Sequence, residues 1–108
     1  MYDKILPDII RRTRLINGLT QLETAKSCGI SASYLCRLEK GGCLPSPGVL
    51  LRLANVLNIS GYDILVCAAY AAINEPPKND GYLSEIVSTL RLILAEKKAG
   101  GSNENGLF

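Results

Sequence analysis

Thr20-Gln21-Leu22-Glu23-Thr24-Ala25-Lys26-Ser27-Cys28-Gly29-Ile30-Ser31-Ala32-Ser33-Tyr34-Leu35-Cys36-Arg37-Leu38-Glu39-Lys40-Gly41 is the stretch on which the fold turns. Two short helices are written into it. Thr20 offers a hydroxyl to the backbone donors of a first turn, and Glu23, three residues on, completes a capping box. That helix ends near Cys28-Gly29, where glycine tolerates the left-handed backbone of a tight turn. Ser31 caps a second helix that runs to about Lys40, with Tyr34, Leu35 and Leu38 at inward or half-inward spacing. Gly41-Gly42 ends it.

Working outward, the apolar spacing stays helical and no β alternation persists. Upstream, a helix from about Ile5 to Ile16 carries Ile5, Ile9, Ile10 and Leu15 as an inner stripe and stops at Asn17-Gly18. Pro7 falls in its first turn, where no hydrogen bond is lost. Downstream, Ser46-Pro47 pairs a capping hydroxyl with a proline where the helix needs no donor. The helix it starts runs to about Leu57, with Val49, Leu50, Leu53, Ala54 and Leu57 on one face and Asn58 as its stop. Ser60 caps a fifth helix, roughly Tyr62 to Ile73, apolar enough to be buried on most sides. Pro76-Pro77 and Asn79-Asp80-Gly81 are breakers. A sixth helix follows, with Leu83, Ile86, Val87, Leu90, Ile93 and Leu94 on one face and pairs repeating every seven residues. The expected architecture is all-α: a five-helix domain over 1–74, a linker over 75–82, an amphipathic C-terminal helix over 83–99 and a flexible tail over 100–108.

Composition narrows the function classes. Apolar residues make up 47% of the 108, enough for a real core. The longest apolar run, Ile64 to Ile73 between Asp63 and Asn74, is too short to span a bilayer. Asp3, Lys4, Pro7 and Asp8 interrupt any leader-like stretch, so a soluble cytoplasmic protein is expected. Net charge is +2, unevenly spread: residues 1–42 hold seven Lys/Arg against four acids, +3, and residues 43–108 hold five against six, −1. A polyanion would meet the N-terminal half. Cys28, Cys36, Cys43 and Cys67 form no C-x-x-C pair and the chain has no His, so no metal site is expected. The thiols read as small buried hydrophobes or incidental surface groups. No cofactor motif and no nucleophile–base pair stands out, so neither a cofactor nor an enzymatic activity is expected.

Two short helices across a glycine turn make a helix-turn-helix, an arrangement whose physics suits DNA. The first helix of the pair aims its N-terminal donors at phosphate, and the second lies in the major groove with its early residues against base edges. At residues 14–41 the chain resembles the XRE-type (lambda repressor/Cro-like) family. Arg14, Gly18-Leu19-Thr20-Gln21, Thr24-Ala25, Gly29-Ile30-Ser31 and Glu39-Lys40-Gly41 fall at the distances of that family's signature. The likeness extends over residues 5 to about 72, through the Pro45-Ser46-Pro47 loop, the leucine-rich fourth helix, and Leu65 and Ala68-Ala69-Tyr70 of the fifth.

The resemblance implies a double-stranded-DNA-binding regulator of transcription, a repressor acting as a homodimer on a two-fold operator. It implies DNA-facing roles for Thr20, Gln21, Ser31, Ala32, Ser33, Tyr34, Arg37, Lys40 and Gly41. Gln21 would touch phosphate and brace the third helix. Arg37 would contact guanine in bidentate fashion. Lys40 and Gly41 would lie at phosphate. Tyr34 has two readings, a phosphate contact or a half-core ring. Arg14 and Glu39 match a partly buried structural salt bridge of the family. Two positions depart from its pattern: Thr24 stands where Leu is usual, and Leu22 where a polar residue is frequent. Both point to a local shift in how the second helix packs. Ala32 and Ser33 are smaller than the residues many relatives carry.

The sixth helix is also open to two readings. Its stripe either packs back on the fifth helix or forms a dimer seam. The rival to DNA binding is a helical protein-interaction module, antitoxin-like or anti-repressor, whose C-terminal helix takes a protein partner. That module would not need Arg37, Lys40 and the basic N-terminal half together.

Overall fold

The computed structural model describes residues 5–73 and 80–104. Among them the helices are α1 (Ile5–Ile16), α2 (Gln21–Cys28), α3 (Ala32–Lys40), α4 (Pro47–Leu57), α5 (Gly61–Ile73) and α6 (Asp80–Glu104), with no strand. The fold class is all-α, as expected. The capping chemistry acts where it was read. Ser31, Ser46 and Ser60 accept from the backbone N–H groups of Tyr34, Val49 and Asp63 at 3.1, 3.3 and 3.4 Å. Asn58 closes α4 in the left-handed conformation, at φ 60°. No helix among the described residues is long and apolar enough to cross a membrane.

The core lies where α1, α3, α4 and α5 converge. Ile10, Leu35, Leu50, Leu53, Ile64, Leu65 and Ala68 are wholly buried there. In α1 the buried row is Leu6, Ile10 and Arg14, spaced four apart, with Pro7 beside it. This corrects the expected stripe: Ile5 and Ile9 are half-buried and Leu15 faces out. In α2, Thr24 takes the buried position and its hydroxyl donates to Thr20 O at 2.9 Å, which removes the penalty of burying it. Leu22 faces solvent. Helix α5 is less enclosed than its composition suggests. Ile64, Leu65, Ala68, Ala71 and Ala72 face in, while Tyr62, Val66, Tyr70 and Ile73 line an exposed side.

The sharpest buried contact is ionic. Arg14 Nε and Nη2 donate to Glu39 Oε2 and Oε1 at 2.6 and 3.0 Å, and Nη1 donates to Leu19 O at 2.8 Å. Both residues are only 9% exposed. The bidentate pair ties the end of α1 to the last turn of α3, and the Leu19 contact fixes the turn leading into α2.

Helix α6 settles on its own domain. It packs along α5 and reaches α4. Ile86 is wholly buried, and Tyr82, Leu90 and Ile93 pack against the core. A Cβ on Gly61 would stand 3.0 Å from Leu51 Cδ2 and in ordinary contact, 3.7 Å, with Ile93 Cδ1, so the missing side chain at the start of α5 chiefly lets Leu51 of α4 pack close, with α6 alongside. The six-residue stripe read as a dimer seam therefore divides. Ile86, Leu90 and Ile93 face inward and Leu83 is half-buried, while Val87 and Leu94 remain 45% and 50% exposed. The row that meets the core runs through Tyr82, Ile86 and Ile93, and a helix cannot turn that row and its flank to the same surface.

The boundaries of α6 also differ from the expectation. Asp80–Tyr82, assigned to the linker, are already helical, and Tyr82 is partly buried against the core. Residues 75–79 of the expected linker lie outside the described residues. The backbone of 100–104 continues the helix, since Gly100-Gly101 weakens a helix but removes no N–H. The rest of the expected tail lies outside the described residues.

Tyr82 links α6 to the loop after α3: its Oη donates to Pro45 O at 2.7 Å. Burial first, then the neighbouring Tyr34 and Glu85, pushes the phenol well above its ordinary range. A folded-state value above the unfolded one means full stability below the unfolded value, about pH 10, and loss as pH climbs past it. Tyr82→Phe is expected to cost about 1 kcal/mol at neutral pH by deleting the hydrogen bond. It is also expected to flatten the alkaline arm of a plot of Tm against pH. Equal alkaline slopes for the two proteins would refute the assignment. Arg14→Ala strands a buried carboxylate and is expected to cost about 3–5 kcal/mol in urea unfolding; a loss below about 1 kcal/mol, typical of surface pairs, would show that the bridge does not hold the domain.

Candidate nucleic-acid interface

Helices α2 and α3 meet across Gly29-Ile30-Ser31. Gly29 stands at φ 71°, where its N–H reaches the Ala25 and Lys26 carbonyls and satisfies the end of α2. Ser31 then starts α3 within two residues. At the far end Gly41, at φ 82°, bonds back to Arg37 O and Leu38 O, and Gly42 N donates to Arg37 O at 2.9 Å. Helix α3 is thus capped at both ends, a short rigid rod.

The start of α2 is a working capping box. Glu23 N donates to Thr20 Oγ1 at 3.0 Å and Thr20 N donates to Glu23 Oε1 at 2.8 Å. Gln21 Nε2 donates to Glu39 Oε1 at 3.0 Å. The bracing role is therefore present in the structure. With its amide nitrogen turned to Glu39, Gln21 offers, like the other first-turn residues of α2, a backbone N–H that helix geometry leaves without an intrahelical partner. Such donors, at the positive end of the helix, suit an anion.

The expected base-reading residues fall on α3 as follows. Ser33, Arg37 and Lys40 are all exposed and lie four and three residues apart, which places them on one face. Ser31 is exposed at the cap and Gly41 at the far end. Ala32 and Tyr34 are half-buried and pack partly against the core. The opposite face, Leu35, Leu38 and Glu39, is buried. The interface therefore presents short side chains in its first turn and cations in its last. Arg11, Arg12 and Lys26 add exposed positive charge nearby in sequence, whereas Arg14 is consumed by Glu39.

One contact of α3 was not legible from the residue types alone. The guanidinium of Arg37 lies over the Tyr34 ring, with Cζ 5.5 Å from its centroid. The three-residue spacing of an aromatic and an arginine on one helix was the available signal. The Tyr34 hydroxyl is pushed up by burial first and then by Cys43, while Arg37 pulls it down. No three His, Cys, Asp or Glu side chains among the described residues lie close enough to hold a metal ion.

Comparison with known proteins matches this geometry to a family. The helix-turn-helix family pattern covers residues 10–64. YazB of Bacillus subtilis, described as an uncharacterized HTH-type transcriptional regulator, is 44% identical over 55 residues, which span 51% of this chain and 80% of YazB. The ImmF control region 10 kDa protein of Bacillus phage phi105 is 39% identical over 56 residues, 52% of this chain and 62% of the phage protein. In fold, the chain is similar to the clp gene regulator ClgR of Corynebacterium glutamicum, with a TM-score of 0.56 over 92% of this chain and 94% of that one, at 23% identity. With the pattern spanning half the chain, from Ile10 to Ile64, and the two capped helices at its centre, this protein belongs to the XRE-type helix-turn-helix DNA-binding family.

Proposed function

We propose that the protein is a sequence-specific regulator of transcription that binds double-stranded DNA as a dimer on a two-fold operator and acts as a repressor. The observation that carries this reading is the exposed face of α3: Ser33, Arg37 and Lys40 project from a helix capped at both ends and braced from behind by Glu39. Arg37 is the guanine reader, Lys40 and the Gly41 backbone meet phosphate, and the first-turn donors of α2 with Thr20 and Gln21 meet the neighbouring phosphate. Ser31, Ala32 and Ser33 set the approach distance, with a hydroxyl or a methyl toward the bases. The regulator role named for YazB comes to this chain as part of this proposal.

The dimer follows from operator symmetry, since two recognition helices about one DNA turn apart need a two-fold partner. Val87 and Leu94, seven residues apart on one side of α6, are the exposed side chains beside its packed row and still available for it. The same apolar face would suit a protein partner.

Binding to random and genomic DNA pools tests the main reading. Wild type is expected to select one motif, and Arg37→Ala to relax it at a cost of about 1–3 kcal/mol, whereas Lys40→Ala should weaken all sequences alike and lower the salt slope by about one. Weak, sequence-blind binding by wild type would overturn the reading. Sedimentation tests the dimer: Leu94→Lys should shift a dimer to monomer, and a monomeric wild type would direct attention to a protein partner instead.

A further inference from the structure

We infer that Tyr34 is a positioning residue for Arg37: its ring is a platform that holds the guanidinium in place on α3 before DNA arrives. The inference rests on the proposed reading of α3 as the recognition helix and names what sets its specificity. A free arginine side chain samples many rotamers, and fixing one on binding costs affinity. An aromatic face three residues earlier removes part of that cost in advance, because a guanidinium stacks on a ring while its N–H donors stay in the ring's periphery, free to fork onto a base.

The platform is itself held. Tyr34 is half-buried against the core, and its backbone N–H is bonded to the Ser31 cap. Cys43 lies close enough to bear on its ionisation, and Tyr34 in turn on that of Tyr82 from α6, which is anchored to Pro45 O at 2.7 Å. The guanidinium has no carboxylate competing for it among the described residues. Helical side chains lean toward the N-terminus, so Arg37 lies back over the turn that holds Ser33 and Tyr34. Ser33, four residues before Arg37, is small and leaves that space open. The two readings of Tyr34, half-core ring or phosphate contact, then resolve: the ring acts, and the hydroxyl is dispensable.

The test compares full-length wild type, Tyr34→Phe, Tyr34→Leu, Arg37→Ala and the Tyr34→Leu/Arg37→Ala double variant. Affinity is measured for the pool-selected DNA site and for the same site with its key guanine replaced. Proton NMR of the free proteins follows the Arg37 side-chain methylenes, which a ring beneath them shifts upfield. Tyr34→Phe should bind and discriminate as wild type does and keep the upfield shift. Tyr34→Leu should lose the shift and about two- to tenfold in affinity for the selected site, with little loss on the replaced site. In the Arg37→Ala background Tyr34→Leu should have no further effect. Thermal melts confirm folding, and Tyr34→Met, which fills the half-buried space without a ring, replaces Tyr34→Leu if the latter unfolds. Equal losses in Tyr34→Phe and Tyr34→Leu would assign the role to the hydroxyl and overturn the inference. So would additive losses in the double variant, or Arg37 methylenes unshifted in wild type. If wild type selects no motif, the DNA reading itself fails; if it selects one and Arg37→Ala relaxes it while Tyr34→Leu does not, only the platform fails.

Discussion

A buried ion pair organises this domain. Glu39 sits on the inner face of α3, where a lone carboxylate would be expensive to desolvate. Arg14 meets it with two donors, Gln21 with a third, and Arg14 spends another on Leu19 O. One carboxylate thus joins the end of α1, the turn before α2, the first residue of α2 and the last turn of α3. Hydrophobic contacts among Leu6, Ile10, Leu35 and Leu38 supply most of the driving force, but they are non-directional. The ion pair has fixed geometry, so it selects one arrangement of three helices among the many that would bury the same area.

That arrangement decides which groups are left for a ligand. Because the inner face of α3 is taken by Leu35, Leu38 and Glu39, its outer face presents Ser33, Arg37 and Lys40. Because the Gln21 amide is turned to Glu39, the donors left at the head of α2 are chiefly backbone. The bracing that holds the helices and the surface that meets a polyanion are two sides of the same residues. This is why Arg14, counted in the basic half of the chain, contributes structure and not surface potential.

Helix α6 adds a second organising contact. It rests on α5 through Ile86, Leu90 and Ile93, and its Tyr82 is bonded to the loop that follows α3. The C-terminal helix therefore buttresses the loop that leaves the same end of α3 that Glu39 holds. Its remaining apolar residues, Val87, Leu92 and Leu94, lie outside this packing.

The sequence by itself determined the helices and their ends, because caps and breakers are local chemistry: Thr20 with Glu23, Ser31, Ser46-Pro47, Gly29, Gly41 and Asn58 each act within a few residues of themselves. The family pattern over the glycine turn was legible for the same reason, and so was the Arg14–Glu39 pairing once the pattern was seen. Facing was less legible. Leu15 was read as inward and turned out, because the row Leu6–Ile10–Arg14 had to meet α3. The stripe on α6 looked like one seam, yet only its Ile86, Leu90 and Ile93 row meets the body of the domain. The placement of Arg37 over the Tyr34 ring and the reach of Tyr82 to Pro45 were decided only in three dimensions, the latter across 37 residues. Periodicity states which residues share a face; which face turns inward depends on the partners that packing brings to it, and those lie far away along the chain.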